Sequence, residues 1–202
     1  MIKIHTEPTS FSITNILHLW KKYSIYPLQE KILREIFRKY PQNTNENEIL
    51  LKAKTLNLYY STNVQAIVQM AKHIKNLKID KHLKKGRLSI ISDIANIKLE
   101  NGKQRCFYSF ATKYCNFHNP NSYPIYDSIV RKLLCQLNKH FKFYNNGKYT
   151  EQQLKICENY PEYKEMLDSF CHKFNIKLNY KMLDRYLWFW GKQLGLGSKQ
   201  RT

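Results

Sequence analysis

Residues 101–131 read NGKQRCFYSFATKYCNFHNPNSYPIYDSIVR, and they show in miniature how this chain is organised. Asn101-Gly102 is a turn signal, because both residues tolerate left-handed backbone. From about Lys103 to His118 apolar residues return every three or four positions, which predicts a helix. Cys106, Phe107, Phe110, Ala111, Tyr114, Cys115, Phe117 and His118 cover a broad arc of it. Asn119-Pro120 breaks that helix. Asp127 then stands where an N-cap belongs, ahead of a stripe formed by Ile129, Leu133, Leu134, Leu137 and Phe141.

The same pattern extends outward in both directions. Upstream, Ser10 can cap a helix carrying Ile16, Leu17, Trp20 and Tyr23, and Pro27 opens a second that Pro41 ends. Polar 42–48 reads as a loop, followed by helices from Ile49 to Tyr60, from Val64 to about Ile74, and from Ser89 to Leu99. The basic run DKHLKKGR at 80–87 reads as loop. Downstream, Asn145-Asn146-Gly147 closes the Asp127 helix region, and helices are expected at 150–159, 160–174 and 180–194, before a tail expected to fray. IKIH at 2–5 and FKFY at 141–144 are the strand candidates. The expectation is an all-α fold of about ten helices in one domain, residues 1–202, with lobes at about 1–80 and 88–194.

Charge narrows the partners. Lys and Arg number 34 against 15 Asp and Glu, giving a net +19 on 202 residues. Hydrophobic residues are 43% and aromatics 14%, enough to fold, which excludes a globally disordered chain. Lys outnumbers Arg 27 to seven, a bias an AT-rich genome also produces, but such drift does not require acids to stay scarce. A surface this positive attracts polyanions at long range. Nucleic acid is the expected partner, with an acidic protein or plain solvated charge as the alternatives.

The five cysteines form no CxxC pair and no zinc-finger spacing with histidine, so neither metal nor other cofactor is expected. An odd count on apolar stripes points to free thiols in a reducing compartment. No secretory leader or membrane-length apolar run occurs, so a soluble monomer in the cytoplasm, or the nucleus if eukaryotic, is expected. No GxGxxG or GxxxxGK[ST] motif marks a nucleotide-binding enzyme.

Two residues in the opening stretch can carry chemistry. Lys113 lies at the edge of the apolar arc, with Phe110 one turn before it and Phe117 one turn after. A partly desolvated ammonium there would lose its proton more easily, as an amine nucleophile requires. The same position also suits, and by itself favours, a lysine whose stem covers apolar surface while its head stays wet. Asp127 is at once a helix cap and a carboxylate fixed beside a positive helix end.

Together these residues resemble the helix-hairpin-helix DNA glycosylases. Gly102-Lys103 with Phe110-Ala111-Thr112-Lys113 is most similar to the archaeal 8-oxoguanine glycosylases and their relatives, and Pro124-Ile125-Tyr126-Asp127-Ser128 to the segment bearing their catalytic aspartate. The chain departs from the pattern: the Leu-Pro-Gly-Val-Gly hairpin is missing, Lys113 comes eleven residues after Gly102, and no four-cysteine loop occurs. The resemblance implies two helical lobes around a cleft, and base excision from an everted nucleotide in duplex DNA. Lys113 would attack C1′ and form a Schiff base open to β-elimination, while Asp127 stabilises the positive sugar. Contacts with substrate or DNA are then expected from Tyr126, His118, Phe117, Tyr114, Trp188, Arg131, Lys103 and Arg105. A histidine at a helix end, as His118 is, more often makes a cap or core hydrogen bond, and the position of Trp188 favours packing. The rivals are a basic DNA-binding protein without chemistry and an RNA-binding or protein-interaction module.

Overall fold

The computed structural model describes residues 7–22 and 25–197. Among them are eleven α-helices and one short antiparallel ribbon, so the chain is all-α, as its periodicity predicts. It divides into two compact units, residues 24–125 and residues 1–23 with 126–202, here called central and flanking. That division corrects the expected lobe boundary at 80–88.

Helix α1 (Ser10–Lys22) belongs to the flanking unit. Its cap is Thr9 rather than Ser10: the Ser12 N–H donates to Thr9 Oγ1 at 3.1 Å, and the Thr9 N–H donates to Ser12 Oγ at 2.9 Å.

The central unit opens with α2 (Ile25–Lys39), two residues before Pro27, which sits in the first turn where no N–H is required. Helix α3 (Glu46–Tyr60) starts three residues earlier than expected, because Asn45 Oδ1 accepts from the N–H groups of Asn47 and Glu48. Apolar spacing sees only its buried face, Ile49, Ala53 and Leu56. Helix α4 (Ile67–Asn76) follows. The basic run expected as loop is α5 (Asp80–Lys85), capped by Gly86 at φ 66°. A Cβ at Gly86 would lie 2.7 Å from Ser122 Oγ, so both backbone and space call for glycine. The Tyr123 hydroxyl lies 3.1 and 3.2 Å from the carbonyl oxygens of His82 and Arg87, tying this turn into the unit.

The largest departure from expectation lies between Ser89 and Tyr108. Helix α6 is only Ile90–Ala95. The chain then forms β1 (Asn96–Lys98) and β2 (Gln104–Cys106), with Ile97 opposite Arg105. Gly102 takes φ 78° at the turn and donates to Leu99 O at 2.8 Å. Helix α7 therefore begins at Tyr108, not Lys103, and runs to His118. Leu33, Phe37, Leu56, Met70, Ile74, Ile94, Phe110 and Tyr114 are buried in the core.

In the flanking unit, α8 (Ser128–Phe141) is capped by Asp127, and Thr150 with Gln153 forms a capping box on α9 (Glu151–Lys155). The helix expected at 150–159 stops there, and 157–159 is a single 3-10 turn. Helices α10 (Tyr160–Lys173) and α11 (Tyr180–Gln193) complete the unit. Helix α11 packs on α1 and α8, and Gly191 faces Ile129 so closely that any β-carbon would collide with Ile129 Cγ2. FKFY at 141–144 is no strand: Phe141 ends α8 and Lys142 caps it at φ 51°. IKIH at 2–5, Tyr23 and the last five residues lie outside the described residues. No helix among the described residues is long and apolar enough to cross a membrane.

Candidate functional site

Lys113 lies in the middle of α7, which is buried on nearly every side. The residue is 2% exposed, which excludes a snorkelling head. Its Nζ donates to Ser109 Oγ at 2.6 Å, one turn back, and sits 5.5 Å from the centre of the Tyr60 ring. Phe110 and Phe117 flank it in sequence, but they turn to other partners. Phe110 stacks on Tyr114, and Phe117 packs on Phe37 and Tyr60.

Tyr114 and His118, two of the expected substrate contacts, belong instead to a buried polar network. Tyr114 is fully buried and donates to Asn43 Oδ1 at 2.6 Å. The Asn43 backbone N–H and side-chain amide donate to the two Asp80 oxygens at 3.0 and 2.6 Å. Lys52, also fully buried, donates to Tyr40 O, Gln42 O and Asn43 Oδ1 at 2.8–2.9 Å, and its Nζ is 5.6 Å from the Phe37 ring centre. Burial lowers the Lys52 pKa to about 8 against the pull of Asp80 and Glu48, so the ammonium persists at neutral pH. His118 Nε2 lies 3.3 Å from Asn43 Nδ2 and 3.5 Å from Lys52 Nζ. Burial, and then the Lys52 charge, push its pKa down to about 3, so the imidazole is neutral. The network joins Asn43, Lys52, Asp80, Tyr114 and His118 from different parts of the unit, as a structural clamp requires.

In the flanking unit, Asp127 Oδ1 accepts from the Ile129 N–H at 2.8 Å, the cap its sequence position predicts. Tyr126 is buried edge-on against Tyr163. Arg131 is 7% exposed, donates to Tyr126 Oη at 3.1 Å and pairs with Glu151 at 3.4 Å. Its charge is engaged inside the unit by Tyr126 and Glu151. Trp188 is half-buried on α11, with Lys192 Nζ 5.1 Å from its ring centre.

Lys103 and Arg105 are differently disposed. Arg105 stands in β2, with Lys103 just before the strand and Phe107 just after it. They form one wall of an open cleft of about 800 Å³, and Asn63 and Gln65 from the α3–α4 connection, with Gln69 from α4, form the other. Asn57 fixes that connection: its Oδ1 accepts from Thr62 Oγ1 and the Val64 N–H, and its amide donates to Val64 O. Gln69 Oε1 accepts from the Glu100 N–H at 3.1 Å and ties the two walls together. Among the described residues, no group of His, Cys, Asp and Glu is arranged to hold a metal ion.

The cleft was missed in the sequence because residues 103–107 fit a helical arc. The signal for it was the Asn-Gly turn flanked by short extended runs.

Residues 12–122 match the HI_0787_N family, described as an N-terminal domain. The chain belongs to that family. An uncharacterized protein of Haemophilus influenzae is 43% identical to it over 144 residues, which span 71% of this chain and 66% of the relative's own length. No solved structure matches the chain. The HI_0787_N span takes in Lys113, the Lys52 network and the ribbon cleft, and it stops before Tyr126, Asp127, Arg131 and Trp188.

Proposed function

We propose that this chain is a DNA base-excision glycosylase in which Lys113 supplies the amine and Asp127 the carboxylate. The observation that carries the proposal is the state of Lys113: 2% exposed, with its Nζ on the Ser109 hydroxyl. A buried lysine alone would not suffice, since Lys52 is equally buried. The difference lies in the partners. Carbonyl oxygens only accept, so Tyr40 O, Gln42 O and Asn43 Oδ1 hold Lys52 as an ammonium. A hydroxyl accepts from an ammonium and donates to a free amine, so Ser109 can hold Lys113 in either state.

In the proposed reaction the neutral Lys113 amine attacks C1′ of an extruded nucleotide. The C1′–N bond breaks, and the base leaves with the electron pair and takes up a proton. Opening of the C1′–O4′ bond then gives the Schiff base. Asp127, held at its cap, offsets the positive charge that develops on the sugar. The net +19 supplies the grip on phosphates. The protein would act as a monomer, in the cytoplasm on the nucleoid or in a eukaryotic nucleus.

The test is borohydride trapping on duplexes bearing an abasic site or one of a panel of oxidised bases. The expected result is a covalent complex with the unaltered chain, lost in Lys113→Gln and reduced at least about a hundredfold in Asp127→Asn. Intact DNA binding by the unaltered chain, with no trapped product across the panel, would leave a basic DNA-binding protein without chemistry.

A further inference from the structure

We infer that the cleft between the 96–106 ribbon and the α3–α4 connection receives an unpaired nucleotide of a DNA strand. The inference rests on the DNA-binding part of the function proposed above, and it concerns a different site from Lys113. Three observations carry it. The side chains of Asn63, Gln65, Lys103 and Arg105 make no hydrogen bond or ion pair with other described residues, although they line one concavity. The cleft, at about 800 Å³, has the volume of a small-ligand site rather than that of a protein interface. Its chemistry also matches the three parts of a nucleotide.

Phe107, half-buried in the wall, offers a ring for a base to stack on. The amides of Asn63 and Gln65 can both donate and accept, as the edge of an unpaired base requires. Arg105 on β2 and Lys103 just before it are the cations for the backbone. Glu100 is the acid among the lining residues, so the lining carries a net charge of plus one. A paired duplex fits poorly. Its bases hide their faces in the stack, and its grooves are concave like the cleft itself. An unpaired nucleotide protrudes and shows both face and edge.

The experiment is fluorescence anisotropy with a short fluorescein-labelled deoxyoligonucleotide of mixed sequence, the same strand annealed to its complement, and the RNA of that sequence. The full chain should bind the single DNA strand more tightly than the duplex or the RNA. Lys103→Gln with Arg105→Gln should weaken single-strand binding at least about tenfold and lower the slope of log K against log salt by about 1.4, two phosphate contacts' worth. Phe107→Leu, which keeps the apolar bulk, should cost about fivefold or more. Lys113→Gln should bind like the unaltered chain.

Equal losses on duplex and single strand would overturn the inference, as would no loss in either variant or a preference for RNA. Failure of borohydride trapping with strand selectivity intact removes the glycosylase and leaves the cleft. Loss of selectivity with trapping intact does the reverse.

Discussion

Two polar groupings in residues 24–125 draw on the same side-chain types and resolve them in opposite ways. Lys52, Asn43, Asp80 and His118 face inward, and each is matched to a partner within hydrogen-bonding distance. The side chains of Lys103, Arg105, Asn63 and Gln65 line an open cleft and bond to nothing else described. The difference follows from solvent. A buried polar group left unmatched costs the full loss of its hydration, so an inward set has to be complete. An outward set is completed by water, which a ligand can displace at little cost. The inward grouping therefore belongs to folding, and the outward one is available for recognition.

Lys52→Met gives the largest break in that contrast. Methionine keeps the stem's volume but strands Tyr40 O and Gln42 O without their Lys52 donor and leaves Asn43 Oδ1 with Tyr114 alone. The expected loss is on the order of 3 kcal/mol, seen as a lower urea midpoint. A loss below about 1 kcal/mol would show that the network does not hold the fold and would erase the distinction between the two groupings.

An effect dependent on pH comes from His118. Its pKa falls from 6.5 in the unfolded chain to about 3 in the folded protein, through burial and the neighbouring Lys52 charge, with Asp80 across Asn43 in the same network. As pH drops below 6.5 the unfolded state takes up this proton first, so stability is lost steadily down to about pH 3 and no further. His118→Gln keeps an acceptor for the Asn43 amide and has no proton to gain. The variant should lose less stability between pH 7 and pH 4 than the unaltered chain does, by denaturation at both values. Parallel losses would place the acid sensitivity elsewhere.

The sequence announced these features unevenly. Helices with a strong apolar face were legible, and so was the Asp127 cap, because caps and periodicity are local. Helix α5 was not: its single buried leucine, Leu83, sits in a basic run that resembles a loop, and what orders it is Tyr123, some forty residues away. The ribbon was hidden because each strand is three residues long, and Cys106 and Phe107 extend the apolar arc of α7 convincingly. The Lys52 network could not be read at all. Its members lie at 43, 52, 80, 114 and 118, and only folding brings them together. Lys113 was legible as a candidate, but its burial and its Ser109 partner depend on the surrounding packing.

The smallest expected effect completes the comparison from the outward side. Lys103→Gln with Arg105→Gln removes two exposed cations that hold no partner within the described residues, so no internal bond is lost with them. Stability should stay within about 0.5 kcal/mol of the unaltered chain. The sign should be slightly favourable at low salt, because a chain carrying +19 repels itself and two fewer charges relieve that repulsion. Added salt should shrink the gain, since screening shortens the reach of each charge to about 10 Å at 0.1 M. Urea midpoints at low and moderate salt measure both effects. A loss above about 1 kcal/mol at either salt would mean that the ribbon's cations brace the hairpin, and the cleft would then be part of the fold's own support rather than a surface left open for a ligand.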